Sequence, residues 1–508
     1  MKEKVGRSRR NSVLRAVFVG ISLCLQVGWI LLMVLKLNTY STYIALLTSF
    51  LAALVVLRLY SRRRNSAYRM PWIMVMMALP VMGLSLYLIT EVALSPRRIH
   101  DRVKAIRSEC KPYLAQSGAE ELLAQQDKSA GNLSQYLWKY DHSPVYGGTN
   151  TRYYGHGRDL LPDLLRDLEN AKGFIFMEYF IVEDREAFGR IREVLARKAA
   201  EGLDVRLMYD DIGSIGYVDF RFARELNAQG IRCQVFNPAL PFLKLFMNNR
   251  DHRKITVIDG KIGYTGGYNL ADAYFGLDHP YGQWKDTGLR LEGAAVKSLT
   301  ATFLELWTVT ARKEEYFGRF LETAHSVPGS GFVQPFGDSP LDGEQTAENV
   351  YLNLLSQARD YVWFMTPYLI ITDELARALE LAAKRGVDVR IMTPGIPDKR
   401  AVYAVTRSYY SRLVEDGVRI FEYSPGFCHG KQCLVDDCIA SIGTSNLDYR
   451  SLYLHFENNV VLYGCSCLQD MKRDLEETFA QCREVTDSYR SAPLRLWECI
   501  LRLFAPML

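Results

Sequence analysis

A set of four polar residues occurs twice in this 508-residue chain, and the second copy lies 177 positions after the first. Its members are His252, Lys254, Asp259 and Asn269 in the first copy, and His429, Lys431, Asp436 and Asn446 in the second. Two further segments, Gly202–Met208 and Gly230–Arg232, recur in the same order as Gly386–Met392 and Gly417–Arg419. A chain that repeats itself in this way is expected to fold into two similar units.

Each repeat has the pattern of an α/β unit. Strand-like apolar runs at Phe174–Val182 and Tyr361–Ile371 are followed by helical patterns at Phe188–Glu201 and Glu374–Arg385. The recurring segments then supply more strands. The sequence therefore predicts an α/β fold with two similar half-domains, at residues 146–325 and 326–490. A pseudo-two-fold pairing of the halves would place both polar sets in one shared active site.

The spacing within each polar set indicates a strand followed by a tight turn. Residues i and i+2 of a strand share a face, so the histidine and the lysine of each set point the same way. Asp259 then starts a hairpin turn, and Lys261–Thr265 returns the chain towards the histidine with Asn269. Asp436 occupies the turn of the second copy. Both aspartates are therefore either catalytic partners of the histidines or purely structural residues of the turns.

Two imidazoles, two ammonium groups and two amides at one seam suit the chemistry of a phosphodiester. Lysine and asparagine side chains bind the non-bridging oxygens and stabilise the charge of a pentacovalent state. One histidine can attack phosphorus while the other protonates the leaving alcohol, and imidazole performs both tasks near neutral pH. No cofactor is needed for such an exchange.

The N-terminal part has the character of a membrane segment. Long apolar runs occur at Ala16–Leu35, Tyr43–Leu57 and Pro71–Ile89, and arginines lie between the second and the third. A bilayer core needs roughly 20 apolar residues of helix, so residues 1–95 are predicted to hold two or three transmembrane helices. Basic residues on both sides leave the orientation of the body open. Residues 96–145 are expected to form a linker.

The charge of the chain is divided unevenly. Residues 1–107 carry 17 lysines and arginines against 3 acidic residues, whereas the remainder carries 45 against 54. An acidic body argues against a nucleic-acid partner, because a basic face supplies most of that affinity. Residues 491–508 are predicted to form an amphipathic helix that lies at the membrane interface or packs on the body.

Two groups of residues were considered as metal sites. Adjacent strand side chains diverge, so Asp210 and Asp211 are better explained as a turn at a strand end. Cys428, His429, Cys433 and Cys438 resemble a loose zinc cluster, but Lys431 in their midst would repel a dication. The sequence therefore predicts no metal site.

The paired polar sets resemble the motifs of the phospholipase D superfamily. Within it the chain is similar to the bacterial cardiolipin synthases, through Tyr209–Ser214, Trp284–Asp286, Thr366–Tyr368, Gly443–Ser451, Phe456–Glu457 and Arg502–Leu508. The resemblance implies a multi-pass protein of the cell membrane whose partners are phosphatidylglycerol and membrane lipids. It also implies a metal-independent phosphohistidine mechanism that transfers a phosphatidyl group between two phosphatidylglycerols and releases glycerol.

The resemblance also suggests roles for residues outside the two sets. Asp286 and Glu457 would each hydrogen-bond a catalytic imidazole, and Thr444 would contact the substrate phosphate with Asn269 and Asn446. Gly267 replaces a residue that is often serine in the family, so this hydroxyl is missing from the first half. By analogy His252 would be the nucleophile and His429 the acid, although the near-symmetry of the halves leaves the assignment open.

Other functions remain compatible with the sequence. A phospholipase D, or a phosphatidylserine synthase-like transferase, would use the same pocket with a different acceptor. A lipid-binding scaffold without activity is a further alternative, but two complete polar sets argue against it. A nuclease of the same superfamily is disfavoured by the acidic body. The oligomeric state is not indicated by the sequence.

Overall fold

The computed structural model describes residues 42–61, 66–88, 97–238, 249–313, 315–322 and 325–486, together with a few positions between 24 and 36 and residues 501–502. Two mixed β-sheets, one from each repeat, form the body. Helices cover the sheets, as an α/β fold requires.

The first sheet contains seven strands in the order β1-β8-β6-β5-β2-β3-β4. Their bounds are β1 Thr149–Tyr154, β2 Phe174–Tyr179, β3 Asp204–Asp210, β4 Arg232–Phe236, β5 Lys254–Ile258, β6 Ile262–Gly266 and β8 Gly288–Gly293. Strands β2, β3 and β4 run parallel, and the remaining pairs are antiparallel. The predicted hairpin is present as β5 and β6.

The second sheet repeats this order and adds one edge strand. It runs β9-β18-β16-β15-β10-β12-β13-β19. The bounds are β9 Phe332–Asp338, β10 Tyr361–Met365, β12 Asp388–Pro394, β13 Arg419–Tyr423, β15 Gln432–Val435, β16 Ile439–Gly443, β18 Glu457–Tyr463 and β19 Cys482–Glu484. The prediction of two similar α/β units is confirmed.

The helices alternate with the parallel strands as the sequence predicted. The helices of the first half are Gly157–Glu169, Glu186–Ala200, Phe222–Ala228, Val296–Ala311 and Gly318–Leu321, with a 3-10 turn at Asp272–Phe275. Those of the second half are Thr346–Gln357, Asp373–Lys384, Arg400–Ser408, Tyr410–Glu415, Tyr449–Tyr453 and Cys467–Phe479. The two predicted helices differ from the observed bounds by one or two residues, within the usual fraying of helix ends.

The two halves share a core and a backbone connection. One buried cluster joins Phe176 and Trp307 of the first half to Val333, Trp363 and Met471 of the second. The structure also has two short parallel pairs: β7 Gln283–Lys285 with β14 Gly426–Cys428, and β11 Leu369–Ile370 with β17 Leu447–Asp448. The first of these pairs crosses between the halves. The seam is thus a packed interface in which side chains from both repeats can meet.

The segment expected to be a linker is folded. It contains helices Arg97–Cys110, Ala119–Gln126 and Lys128–Asp141, and a 3-10 turn at Lys111–Tyr113. Leu133 and Leu137 are fully buried in the core of the second half. Their burial makes this segment part of the body.

Towards the N-terminus lie helices Thr42–Ser61, Ser66–Ala78 and Pro80–Tyr87. In the part of the chain that the structure describes, no helix combines the length and the apolarity of a membrane span. Most of the first apolar run, Ala16–Leu35, and nearly all of the predicted C-terminal helix at 491–508 fall outside the described residues.

Candidate active site

The backbone brings the two histidines to the seam. His252 lies two residues before Lys254, the first residue of β5, and His429 lies just before β15. The His252 amide donates to the carbonyl of Phe456 at 2.9 Å, and the His429 amide donates to the carbonyl of Lys285 at 2.7 Å. Each histidine is therefore tied by its backbone to the opposite half.

The side chains of the histidines also pair across the seam. Nδ1 of His252 lies 2.9 and 3.0 Å from the two carboxylate oxygens of Glu457, and Nδ1 of His429 lies 2.7 Å from Oδ2 of Asp286. Both acids are buried, with 0% and 1% exposure. A carboxylate on Nδ1 fixes the ring orientation and leaves Nε2 for chemistry. Each half thus supplies the acid for the imidazole of the other.

Thr444 contacts an acid in this structure. Its hydroxyl donates to Oε2 of Glu457 at 2.5 Å and accepts from the amide of Asn458 at 2.9 Å. It therefore stabilises the carboxylate that holds His252. The predicted contact between this hydroxyl and a substrate phosphate stays a prediction.

Gly267, the counterpart of Thr444, has no room for a side chain. A Cβ there would lie 2.1 Å from Oδ1 of Asp286 and 2.8 Å from the carbonyl oxygen of His429. Oδ1 of Asp286 instead accepts from the amide of Thr287 at 2.8 Å. A backbone donor thus replaces the hydroxyl on this side, which accounts for the glycine.

The two lysines are buried beside the histidines. Lys254 and Lys431 are 0% and 1% exposed, and each ammonium donates to the carbonyl of the histidine two residues earlier. Nζ of Lys431 also lies 2.8 Å from Nδ1 of His429. Burial lowers the pKa of Lys254 to about 7 and that of Lys431 to about 8, despite the opposing effect of the buried acids. A bound anion would therefore stabilise the charged form of both lysines.

The imidazoles and acids respond to the same burial. It lowers the pKa of His252 well below its usual value, with Lys254 adding to the effect, and lowers the pKa of His429 to about 4. Burial raises the pKa of Glu457 well above its usual value. Burial acts on Asp286 in the same direction, but His429 and Lys431 outweigh it and leave its pKa below normal. The two histidine–acid pairs therefore have similar geometry, but the pKa of the acid is raised in one pair and lowered in the other.

Both asparagines lie close to the pocket. Oδ1 of Asn269 accepts from the amide of Ile181 at 3.0 Å, and Asn269 also bonds Tyr274, whose ring lies 5.2 Å from that of His429. Nδ2 of Asn446 donates to Asp448 at 3.0 Å. The charge of Asp448 in turn acts on Lys431.

Asp259 and Asp436 are not brought to the histidines. The Asp259 carboxylate accepts from the amides of residues 172, 173 and 174 at 2.7–2.9 Å. The Asp436 carboxylate accepts from those of residues 359, 360 and 361 at 2.7–3.0 Å. Each lies five residues beyond the lysine, about 17 Å along an extended strand. Both have positive φ, 55° and 47°, which aspartate tolerates in turns. Their contacts favour the structural interpretation over the catalytic one.

The candidate metal ligand Asp210 has other partners. Asp210 accepts from Arg250 at 2.7 Å and from the Gly213 amide at 2.9 Å, as expected of a turn. Cys428, Cys433 and Cys438 form no ligand cluster with His429 in the described residues. His252, His455 and Glu457 do offer ligand atoms within 4.8 Å of one another. The positive charge of Lys254, which acts directly on His252, opposes a dication there.

Sequence reasoning missed several rings around the histidines. His252 is flanked by Phe180 and His455, with ring centroids 4.9 and 5.5 Å away. His429 is flanked by Tyr274, Trp284 and Phe427 at 5.2–5.8 Å. The sequence does hold a signal for His455, because this histidine lies two residues before the acid Glu457.

Both repeats match one protein-family model. Residues 164–307 and 351–481 match the family model described as cardiolipin synthase, PLD-like domain. The cardiolipin synthase of Alkalihalophilus pseudofirmus is 34% identical over 89% of this chain and 91% of its own length. That of Halalkalibacterium halodurans is 33% identical over 95% of both chains.

A solved structure shares the fold. The phosphatidylserine synthase of Haemophilus influenzae superposes with a TM-score of 0.58 and 14% identity, over 74% of this chain and 99% of that protein. The sequence matches go further than the fold, because they cover most of the chain and both polar sets. The chain therefore belongs to the cardiolipin synthase family of phospholipase D-like phosphatidyltransferases.

Proposed function

We propose that this protein transfers a phosphatidyl group from one phosphatidylglycerol to another, which gives cardiolipin and releases glycerol. The observation that carries the proposal is the crossed pairing at the seam. Each imidazole is held by an acid of the opposite half, and two buried lysines lie beside them. Such a site holds two proton carriers and two cations for one phosphodiester, which is what this exchange requires.

In the first step Nε2 of His252 attacks phosphorus while the P–O bond to the headgroup glycerol breaks. His429 gives its proton to the departing glycerol oxygen, and Asp286 stabilises its imidazolium. The phosphodiester anion favours the protonated form of His429, offsetting the effect of burial. Lys254 and Lys431 neutralise the added charge. Asn269 and Asn446 donate to the non-bridging oxygens. The products are glycerol and phosphatidyl-His252.

In the second step neutral His429 removes a proton from a primary hydroxyl of the second phosphatidylglycerol. The resulting oxygen attacks phosphorus and the P–N bond to His252 breaks. Cardiolipin leaves, and His429 again carries the proton for another cycle. Glu457 holds the His252 ring in one orientation throughout, so that the same Nε2 enters and leaves.

We also propose that residues 1–95 anchor the protein in the cell membrane as a multi-pass segment. Many large apolar side chains of this region are solvent-exposed, including Trp29, Leu46, Phe50, Leu57 and Met77, at 61–68%. A lipid phase would cover them at a gain of about 25 cal/mol per Å². The two halves, 146–325 and 326–490, would then act on lipid at the membrane surface.

A direct assay tests the proposed activity. Purified protein given vesicles of phosphatidylglycerol alone should produce cardiolipin and glycerol in equal amounts, measured by mass spectrometry and an enzymatic glycerol assay. The rate should be nearly unchanged in EDTA, because the pocket holds its own cations and proton carriers. When serine is added to the aqueous medium, serine and water are competing acceptors, and the main product should still be cardiolipin. Phosphatidic acid or phosphatidylserine as the main product would contradict the proposal.

The covalent step predicts a labelled histidine. In His429→Asn the acid is missing, so a phosphatidyl donor with a p-nitrophenol leaving group should still label His252 but turn over slowly. The label, isolated at alkaline pH where phosphohistidine survives, should lie on the His252 peptide. His252→Asn treated in the same way is the control and should remain unlabelled at that position. Label on His429 in the His252→Asn protein would reverse the assignment, and inversion of configuration at phosphorus in the wild-type product would exclude the covalent route.

The lowered lysine pKa values predict an unusual pH profile. Loss of the His429 proton at about pH 4 should start a fall of kcat/KM in the free enzyme. The fall should become steeper above pH 7, because the ammonium charges of Lys254 and Lys431 are lost as pH rises through about 7 and about 8. A bound phosphodiester anion stabilises the protonated lysines, so the fall of kcat should occur at higher pH. Lys254→Arg keeps its charge, so the steeper fall of kcat/KM should begin about one pH unit higher, near the pKa of Lys431. A fall that begins at the same pH as in wild type would show that Lys254 does not titrate in this range.

A further inference from the structure

The pseudo-symmetry of the seam extends to one more pair of residues, Trp284 and His455. Trp284 lies two residues before Asp286, and His455 lies two residues before Glu457. The residue between each ring and its acid, Lys285 or Phe456, accepts the amide of the opposite catalytic histidine. The two rings therefore occupy equivalent backbone positions.

The contacts of these two rings are equivalent as well. The Trp284 ring lies 5.7 Å from that of His429 at an interplanar angle of 47°. The His455 ring lies 5.5 Å from that of His252 at 49°. Each catalytic imidazole thus has an aromatic N–H-bearing ring on its flank, contributed by the opposite half.

The ring nitrogens of this pair have no acceptor among the described residues. Nε1 of Trp284 and Nδ1 of His455 are both buried without a hydrogen-bond partner. Arg450 Nε donates to Nε2 of His455 at 3.4 Å, so the neutral ring carries its hydrogen on Nδ1. Oε1 of Glu457 lies 3.9 Å from this nitrogen, beyond hydrogen-bond distance.

A buried donor without an acceptor destabilises the folded protein, so two of them beside the two histidines indicate an acceptor that arrives with the substrate. His455 is only 8% exposed, so bulk water does not satisfy it. The carboxylate of Glu457 is already shared by His252 and Thr444. A lipid headgroup, by contrast, is rich in acceptor oxygens.

We propose that Trp284 and His455 are a matched pair of headgroup-binding residues, each of which donates its ring N–H to an oxygen of the phosphatidylglycerol bound between the histidines. This inference rests on the proposed function, because it takes phosphatidylglycerol as the ligand. The acceptor is a phosphoryl or a glyceryl oxygen, two sources of the same chemistry that the experiment separates. One donor beside each catalytic histidine fits the proposed reaction, because one headgroup leaves phosphorus and another approaches it.

The test removes each N–H while keeping the ring. His455→Phe and Trp284→Phe should each lower kcat/KM for phosphatidylglycerol about 10-fold, mainly through KM, as expected for one lost hydrogen bond. His455→Gln keeps an N–H donor and should recover most of the loss. Tyr281→Phe removes a hydroxyl near Trp284 and is the control for a general change in this region; it should behave like wild type. Melting temperatures within a few degrees of wild type would establish that the variants fold.

The outcomes separate the alternatives. Unchanged kcat/KM in both phenylalanine variants would overturn the proposal, and so would a fall in kcat at constant KM, which would mean that the rings only position the catalytic side chains. If His455→Phe does not fold, Trp284→Phe decides the matter by the same KM criterion.

A second substrate shows whether the acceptor is a phosphoryl or a glyceryl oxygen. It also allows the donors to be tested if the proposed function fails. Bis(p-nitrophenyl) phosphate has phosphoryl oxygens but no glycerol, so a raised KM for its hydrolysis assigns the donors to the phosphoryl group. A raised KM for phosphatidylglycerol alone assigns them to glycerol. If wild-type protein hydrolyses the probe but makes no cardiolipin, the proposed function fails, and the effect of the variants on the probe still tests the donors.

Discussion

Replacing either His252 or His429 by alanine is expected to lower the rate of cardiolipin formation by at least about 10,000-fold, because in the proposed mechanism the two imidazoles act on the same phosphorus atom. His252 is tied to Glu457 and His429 to Asp286, so neither half holds a complete set of groups. The double variant should be little worse than either single one, since residues that act as a unit are not additive. The measurement is the initial rate on phosphatidylglycerol vesicles.

The control for this prediction is Asp259→Asn. Its carboxylate accepts three backbone amides at a turn away from the histidines, so the substitution should lower the melting temperature but leave the rate of the folded protein within a few-fold of wild type. Single histidine variants that each keep about half of the activity would contradict the shared site and indicate two independent ones.

Removing one acid is expected to have the second largest effect. Asp286→Asn and Glu457→Gln should each lower the rate by about 100- to 10,000-fold, because an amide can present the wrong group to Nδ1 and so favour the wrong tautomer. Protein abundance and melting temperature distinguish this loss from unfolding. Asp436→Asn, at the other turn, is the matched control and should retain most of the activity.

Because each acid pairs with a different histidine, the two acid variants should differ in the rate at which His252 is labelled. In the labelling experiment with a p-nitrophenol leaving group, no acid is needed, so Asp286→Asn should label His252 at nearly the normal rate. Glu457→Gln should label it far more slowly, because Glu457 holds His252, the proposed nucleophile. Equal labelling rates in the two variants, or a slow rate in Asp286→Asn alone, would contradict the assignment of each acid to the histidine of the opposite half.

Much of the architecture follows from short-range patterns. The histidine and the lysine of each set lie two residues apart, which places them on one face of an extended segment whatever the rest of the chain does. The recurring segments predicted the strand, helix, strand order of each half, and the constant separation of 177 positions predicted two similar units. Backbone geometry and the periodicity of apolar residues are local, so they can be inferred without the tertiary structure.

The sequence alone left open which residues of one half meet those of the other. The spacing could not show that Asp259 and Asp436 hold turns, since a hairpin aspartate and a catalytic one have the same letter and position. It could not pair His252 with Glu457, 205 residues away, or show that Asp286 occupies the space of a side chain at Gly267. Nor did it reveal Trp284 and His455 as equivalents. These relations depend on how the two halves pack against each other, and that packing is decided by the summed contacts of both cores, which no local pattern encodes.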